Sequence, residues 1–193
     1  SEDGQWQYEI LETDEGEKYI DIYEYNGNEE VLTVPSKIDG ITVCSMGGIV
    51  FYDNETLREV TLPKTIVTVS QGVFKTAYAL EKISIENPTE AGFHTIEGVF
   101  FNGKQLVAYP PAKQGDFYVI PEGTTDILNG AFFRCADLKK IVVPSSAVYY
   151  RTCAFAKCKQ PIDIILKGTS STALNFIKNA CWEMPVGTKF LVK

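Results

Sequence analysis

The sequence lacks the residues that most metal, redox and hydrolytic sites require. It has one histidine, His94, and five cysteines that form no Cys-x-x-Cys pair. A zinc site of two cysteines and two histidines is therefore excluded, and a site of four cysteines lacks its usual paired spacing. No Gly-x-Ser-x-Gly or phosphate-loop motif is present either. We therefore predict no metal site, no cofactor and no catalytic residues, and we interpret His94 as a surface or loop histidine.

The chain also lacks a surplus of positive charge and a long apolar run. Its formal net charge is −7 and its isoelectric point is about 4.8, which argues against nucleic acid as a partner because phosphate binding needs a basic face. No run approaches the roughly 18 apolar residues of a membrane-spanning helix, so we expect no membrane insertion by this segment. With 193 residues, 45% of them hydrophobic, the chain suffices for a single globular domain.

A repeat of 23 residues dominates what is present. Its landmarks are a proline, a phenylalanine 11 residues later and a leucine six residues after that, from which the pattern Leu-x-x-[Val/Ile]-x-[Leu/Ile/Val] continues. The prolines are Pro63, Pro121 and Pro144, the phenylalanines are Phe51, Phe74, Phe132 and Phe155, and the leucines are Leu57, Leu80 and Leu138. One longer unit of 35 residues interrupts the series, and Pro161 replaces the leucine of the last copy.

The period predicts a stacked β-rich array. A unit of about 23 residues cannot close its own core, whereas stacked copies bury one continuous hydrophobic column. Alternating segments such as VTLP and IVVP predict one strand in each unit, ended by the proline that often follows. Second extended stretches at 67–69, 125–127 and 148–150 predict the opposite wall, and the phenylalanine between the two walls fills the core.

Two copies of the repeat carry a family resemblance. The segments TLPKTIVTVSQGVFKTAYALEKISI and IPEGTTDILNGAFFRCADLKKIVVP resemble the BspA-like (Treponema pallidum-type) leucine-rich repeat family of bacterial surface proteins. HTIEGVFFNGKQLVAYPPAKQGDFYVIP resembles the hairpin-bearing unit of that family, SKIDGITV its first repeat, and the N-terminal residues its hairpin cap. The resemblance covers roughly residues 6–166.

The predicted fold is a β-rich leucine-rich-repeat solenoid, right-handed, with about 23 residues per repeat, in a single domain over residues 1–193. Residues 1–31 form an N-terminal β-hairpin cap, and residues 32–166 form the repeats, with a hairpin-bearing long unit at about 86–120. An Asn-Gly hairpin in that unit is expected to protrude slightly from the array. Residues 167–193 form a C-terminal cap, built from a helix over 170–182 and a final strand over 188–193.

Two of the cysteines occupy the same position in consecutive repeats. Cys135 and Cys158 each follow a repeat phenylalanine by three residues. The position is expected to turn inward, so we predict small buried thiols that satisfy backbone groups in the bend. A disulfide between the two stacked positions is the alternative.

The outward positions of the predicted strands give a candidate binding face. They are polar in the early repeats and become apolar in the later ones, and an exposed apolar strip often marks an interaction site. The predicted binding residues are Phe117, Val119, Lys140, Val142, Asp163 and Ile165. The alternative is that the C-terminal helix or a second molecule covers this strip. Tyr118, Tyr149 and Tyr150 extend the surface for stacking unless they pack in the core or a wall.

The resemblance implies a function as well as a fold. The family consists of bacterial cell-surface or secreted proteins implicated in adhesion, so we expect a non-catalytic module that binds an extracellular protein or glycan. An extracellular or cell-surface location implies that a signal peptide has been removed, because the first residues, SEDGQWQYEI, do not resemble one. A structural spacer domain of a larger bacterial surface protein is the alternative. The expected oligomeric state is a monomer or a weak homodimer.

Overall fold

The computed structural model describes residues 4–88, 92–168, 177, 181 and 183–193. Over these residues the chain forms a β-rich solenoid of about seven turns, with about 23 residues in each turn and almost no helix. The predicted leucine-rich-repeat solenoid is therefore confirmed. Its strands, in chain order, are β1 Trp6–Glu12, β2 Lys18–Tyr25, β3 Val31–Thr33, β4 Lys37–Ile38, β5 Ile41–Met46, β6 Glu59–Leu62, β7 Thr68–Val69, β8 Lys82–Ile85, β9 Phe93–Ile96, β10 Val99–Asn102, β11 Gln105–Ala108, β12 Phe117–Val119, β13 Asp126–Ile127, β14 Lys140–Val143, β15 Tyr149–Tyr150, β16 Asp163–Leu166 and β17 Lys189–Val192.

One wall of the solenoid, here called the front wall, consists of parallel strands with the predicted period. It contains a three-stranded sheet, β3-β6-β8, and a four-stranded sheet, β12-β14-β16-β17. Glu59 of β6 pairs with Lys82 of β8, and Lys140 of β14 pairs with Asp163 of β16, so the partners lie 23 residues apart along the chain. A proline follows β6 and β14 directly, and because proline has no N–H to donate to the sheet, both strands end there as predicted.

The opposite wall, here called the back wall, consists of shorter strands. β7, β13 and β15 coincide with the second extended stretches predicted at 67–69, 125–127 and 148–150. β13 lies in parallel between β11 and β15, and β7 pairs in parallel with β5. An ordinary repeat therefore has one front strand and one short back strand, and the segment that leads from back to front carries the phenylalanine into the core.

The N-terminal residues form the predicted antiparallel hairpin. β1 and β2 pair along their whole lengths, and residues 14–16 make the turn between them. β2 then pairs in parallel with β5, so the hairpin extends the back wall. The Trp6 ring lies 4.6 Å from that of Tyr25, whose ring contacts Phe51 at 5.9 Å, measured between centroids. The hairpin thus supplies the first two aromatic rings of the core.

The long unit holds a three-stranded antiparallel meander, β9-β10-β11, where the sequence predicted one hairpin. The turn between β9 and β10 consists of Glu97 and Gly98, with φ angles of 51° and 79°, as a type I′ turn requires. β10 and β11 form the predicted hairpin around Gly103. The expectation that this hairpin protrudes from the array is wrong, because Phe100 and Phe101 are buried and β11 pairs with β13 of the back wall.

The meander divides the hydrophobic core into two clusters, where the sequence predicted one continuous column. Phe100 belongs to the N-terminal cluster, whereas Val99 and Phe101 on either side of it belong to the C-terminal cluster. Neighbouring residues of a strand point to opposite faces, so β10 faces one cluster on each side. A strand covered on both faces needs consecutive apolar residues, which explains the Val-Phe-Phe run at 99–101.

The repeat phenylalanines lie at the centre of both clusters, as predicted. Phe51 stacks on Phe74 with 5.6 Å between ring centroids, and Phe132 stacks on Phe155 with 5.1 Å. All four side chains are buried. Stacked rings of this kind stabilise a core beyond the burial of their area, by about 0.5–1.5 kcal/mol per pair.

The last copy departs from the repeat where Pro161 replaces leucine. The leucines at this position in the other copies, Leu57, Leu80 and Leu138, are fully buried, whereas Pro161 is exposed. Ile162 is fully buried instead and supplies the apolar side chain one residue later. The core position is therefore kept, although the sequence pattern breaks.

Cys135 and Cys158 point inward in consecutive repeats, as predicted. The Cys158 thiol donates to the carbonyl oxygen of Phe132, with 3.2 Å between sulfur and oxygen, so it satisfies a backbone group in the bend. The structure holds both cysteines as free thiols rather than as the alternative disulfide. Burial raises the pKa of the Cys135 thiol well above its usual range. Both residues therefore act as buried core residues with a hydrogen-bonding role.

The C-terminal residues add one more strand to the front wall. β17 pairs in parallel with β16, which confirms the strand predicted over 188–193. The helix predicted over 170–182 lies outside the described residues except for Ile177, which is buried, and Cys181. Burial raises the pKa of the Cys181 thiol to about 12. Among the described residues, no helix has the length and hydrophobicity needed to cross a membrane.

Candidate functional site

The four-stranded sheet of the front wall presents two rows of side chains on its outer face. Because the strands pair in parallel and in register, each residue lies beside its counterpart in the next strand. The first row is Phe117, Lys140, Asp163 and Lys189, and the second row is Val119, Val142, Ile165 and Leu191. The six residues predicted as a binding face are therefore brought together on one surface, as the alternation predicted.

Four apolar side chains of these rows reach solvent, and we call them the apolar strip: Phe117, Val119, Val142 and Leu191. Phe117 is 51% exposed, Val119 is 46% exposed and Leu191 is 38% exposed, while Val142 is partly exposed. Removing apolar surface from water is favourable by about 25 cal/mol per Å². The strip therefore offers a gain in free energy to any partner that covers it.

Ile165 is buried, so the prediction that it exposes an apolar side chain is wrong. It is 7% exposed and lies in register between Val142 and Leu191. Because β17 pairs with β16, the edge strand of the sheet is β17 rather than β16. Leu191 of β17 therefore belongs to the strip, although the sequence interpretation did not include it. The signal for it is the alternation in Lys189-Phe190-Leu191, in which Phe190 packs against the C-terminal cluster.

Charged residues alternate along the first row. The ammonium nitrogen of Lys140 lies 5.2 Å from the ring centroid of Phe117, within the range of a cation–π interaction. Asp163 lies in register between Lys140 and Lys189, so a lysine flanks its carboxylate on each side. The outer face thus combines an apolar strip with a polar margin, an arrangement typical of protein interfaces.

A groove of about 310 Å³ opens along β12, the first strand of this sheet. Its lining residues are Ile96, Glu97, Phe117, Tyr118, Val119 and Pro121. The β9–β10 turn forms its far side, held in place because Lys113 Nζ donates to the Glu97 carbonyl oxygen at 2.6 Å and Ile83 N–H donates to the Gly98 carbonyl oxygen at 3.0 Å. The groove therefore separates the two sheets of the front wall.

Tyr118 faces the core beside this groove. Its side chain is 6% exposed, and its hydroxyl group has no hydrogen-bond partner among the described residues. Burial raises the pKa of the Tyr118 hydroxyl and the Glu97 carboxylate raises it further, so this group stays protonated and remains a donor. Of the other tyrosines considered for stacking, Tyr150 packs against the C-terminal cluster and Tyr149 is exposed on the back wall.

A larger cavity of about 510 Å³ lies beside His94. This histidine lies in strand β9 rather than in a loop, and it is partly exposed at the surface of the cavity. Its ring stacks on Phe101 at 5.5 Å, and its Nδ1 is 3.0 Å from the Gly92 carbonyl oxygen. Glu122 at the cavity is paired with Lys167 at 3.1 Å. Because these groups already make structural contacts, the apolar strip is the stronger candidate site.

No cluster of three or more His, Cys, Asp or Glu side chains suited to a metal occurs in the part of the chain that the structure describes.

The repeats match a known family over most of the chain. A family model described as the BspA type leucine rich repeat region matches in six copies, over residues 20–108 and 115–184. The chain belongs to this family. The six front-wall strands from β3 to β16 all lie inside the matched ranges, so the BspA-type repeats are the units that build the front wall. Phe117, Val119 and Val142 of the apolar strip therefore belong to these repeats, whereas Leu191 lies beyond them.

Several solved structures of leucine-rich repeat proteins are similar to this BspA-type chain. A leucine rich cell surface protein from Faecalibacterium prausnitzii A2-165 has a TM-score of 0.48 and 14% identity, covering 97% of this chain and 83% of that one. A leucine-rich repeat protein from Eubacterium ventriosum has a TM-score of 0.46 and 15% identity, with coverages of 82% and 69%. The leucine rich repeat protein of T. pallidum has a TM-score of 0.43 and 16% identity, with coverages of 96% and 97%. Among curated proteins, none matches the sequence.

Proposed function

We propose that the chain is a non-catalytic binding module of a bacterial cell-surface or secreted protein. It binds an extracellular protein or glycan through the outer face of the front wall. The observation that carries this proposal is the apolar strip, which lies on a regular sheet rather than on a loop. Repeat arrays use such sheets as extended binding surfaces, because each repeat adds one strand and a few outward side chains.

The contrast between the two sheets of the front wall supports this location. In the three-stranded sheet the outward positions are polar except for Val31, an isolated exposed side chain, and Glu59 beside it pairs with Lys82 at 2.9 Å between carboxylate and ammonium groups. Surface pairs of this kind contribute only about 0–1 kcal/mol and satisfy each other's charge. In the four-stranded sheet the corresponding positions include Phe117, Val119 and Val142. Exposed apolar residues grouped on one face are a mark of interaction sites in soluble proteins.

Family membership supports an extracellular role, and the net charge bears on the class of ligand. The resemblance to the BspA-type family implies a surface-exposed or secreted protein with an adhesive function. The family match extends over both halves of the chain, at residues 20–108 and 115–184. The net charge of −7 disfavours anionic partners and leaves proteins or neutral glycans as the expected ligands. A monomer or a weak homodimer remains our expectation for the free chain.

The test is an array of extracellular matrix proteins and glycans, probed with the wild-type chain and with a variant carrying Phe117→Ser, Val119→Ser and Val142→Ser. We expect a ligand of the wild-type chain to bind this variant at least about tenfold more weakly, because truncating central apolar contacts costs more than about 1 kcal/mol each. The three side chains are exposed or partly exposed, so the fold should survive their removal.

A matched control changes the other sheet of the front wall. Thr61→Ala with Ser84→Ala removes outward side chains there and leaves the Glu59–Lys82 pair intact, so ligand affinity should stay unchanged. Equal binding by the wild-type chain and the triple variant would contradict the proposal. An array on which the wild-type chain binds nothing would favour the alternative, a spacer domain within a larger surface protein.

A further inference from the structure

β12 has one edge without a strand partner among the described residues. Tyr118 pairs with Ile141 of β14, and the N–H of Ile120 donates to Val142 O while Asp116 O accepts from the N–H of Lys140. The N–H and C=O groups of the even-numbered residues of this segment therefore point toward β14. The N–H and C=O groups of Phe117 and Val119 therefore point the other way, into the groove.

Two side-chain groups at the groove, one behind it in the core and one on its lining, also lack partners. The Tyr118 hydroxyl is more than nine-tenths buried and has no hydrogen-bond partner in the described part of the chain. A buried hydroxyl without a partner costs about 1–3 kcal/mol, so Tyr118 is a weak point of the core directly behind the groove. The Glu97 carboxylate, which also lines the groove, makes no ion pair with the described residues. It therefore provides an anionic group for a cationic ligand.

We propose that the groove binds an extended peptide segment of a partner protein, which adds as a strand to the free edge of β12. This inference rests on the proposed function, since it names the kind of partner that the same face takes. The segment hydrogen-bonds through its backbone to Phe117 and Val119, lays apolar side chains on the apolar strip and places a lysine or arginine near Glu97. A glycan matches these groups less well, because it has no alternating backbone donors and acceptors at strand spacing.

The dimensions suit such a segment. Three residues of extended chain span about 10 Å at roughly 3.3 Å per residue, which matches the three-residue length of β12. The cavity volume of about 310 Å³ is at the lower limit of binding pockets, which begin at roughly 300 Å³. Strand addition of this kind obtains affinity from main-chain hydrogen bonds and specificity from alternate side chains.

The decisive variant is Val119→Pro. Proline removes the N–H that faces the groove and leaves the hydrogen bonds to β14 untouched, and proline is tolerated at sheet edges for this reason. The matched control is Val119→Thr, which keeps the N–H and the side-chain shape. The probe is a phage library of random twelve-residue peptides, selected on the wild-type chain. We expect enriched peptides with alternating apolar residues and a basic residue. Their dissociation constants should rise at least about tenfold on Val119→Pro and less than about threefold on Val119→Thr.

A second variant and a measurement on the wild-type chain keep the test independent of how Val119→Pro folds. Glu97→Gln should weaken binding of the basic peptides about threefold or more while leaving the melting temperature of the free chain unchanged, because it removes the charge that faces the groove and keeps the backbone carbonyl that accepts from Lys113. Hydrogen exchange of the Phe117 and Val119 amides should slow on peptide binding. Failure to enrich any peptide, or equal binding to Val119→Pro and wild type, overturns strand addition. The remaining outcome is a ligand that loses binding to the variant with Phe117→Ser, Val119→Ser and Val142→Ser yet binds Val119→Pro as it binds the wild-type chain. That result would overturn strand addition only, and binding by the outer face would still be supported.

Discussion

Replacement of Phe132 by alanine is expected to lower the free energy of unfolding by about 3–5 kcal/mol. The Phe132 ring is fully buried between Tyr109 and Phe155, at 5.3 and 5.1 Å between centroids, so truncation leaves a cavity in the middle of a stacked column. Proteins of this size unfold with a net stability of about 5–15 kcal/mol, so one substitution removes a large share of it. Denaturant unfolding measures the change directly, and the melting temperature should fall by about 6–20 °C.

A second phenylalanine of the same chain serves as the control. Phe117 is half-exposed on the outer face, so Phe117→Ala should lower the free energy of unfolding by only about 1 kcal/mol, which includes the lost contact with Lys140. If Phe132→Ala destabilises the chain no more than Phe117→Ala does, the repeat phenylalanines do not hold the solenoid together as described.

The adjacent residues Phe100 and Phe101 provide the second large effect. Each alanine variant should cost about 3–5 kcal/mol, since both rings are buried. The two losses should fall in different halves of the molecule, because Phe100 meets Phe74 at 5.9 Å in the N-terminal cluster and Phe101 belongs to the C-terminal cluster. The stability of a solenoid is approximately the sum of the stabilities of its repeats and of the interfaces between neighbouring repeats. A substitution on one side of the meander should therefore destabilise the repeats on that side most.

Residue-resolved hydrogen exchange distinguishes the two variants. Phe100→Ala should speed exchange at the amides of Val60 and Ile83, and Phe101→Ala should speed it at Ile141 and Ile164. Each variant is the other's control, because the two residues have the same size and are adjacent in the chain. Equal loss of protection in both halves for both variants would contradict the division of the core.

The repeat could be predicted from sequence because its physical causes are local or periodic. A strand that ends at Pro63 or Pro144 and a phenylalanine at a fixed distance beyond it are visible without knowledge of the fold. The 23-residue register then places Lys140 beside Asp163 and Val142 beside Ile165, as the structure confirms. The inward thiols of Cys135 and Cys158 follow from the same register.

The long unit could not be predicted to the same depth, because its partners lie outside the period. The apolar run at Val99, Phe100 and Phe101 indicates a buried strand, but the sequence does not say what covers its two faces, and this becomes visible only from the position of β10 between two clusters. The position of Ile165 inside the sheet, rather than at its edge, likewise depends on β17, which joins the sheet from beyond the repeats. The unpartnered hydroxyl of Tyr118 is a property of the packed structure and has no signature in the sequence.

The proposed binding site lies where the regular array is interrupted. The meander breaks the front wall, leaves β12 with a free edge, and thereby brings the groove next to Phe117 and Val119. A perfectly regular array would have continued the parallel sheet and covered that edge. The interruption therefore combines an apolar surface with backbone groups that can bind a second chain.

Hydrogen exchange of the wild-type chain, measured with and without the strongest protein ligand from the array, shows whether the outer face of the four-stranded sheet is the binding surface. We expect slower exchange on ligand binding at residues 117–119 and 140–143, and no change at residues 59–62 and 82–85 of the other front-wall sheet. Protection confined to the back-wall strands at 126–127 and 149–150, where Tyr149 is exposed, would contradict it.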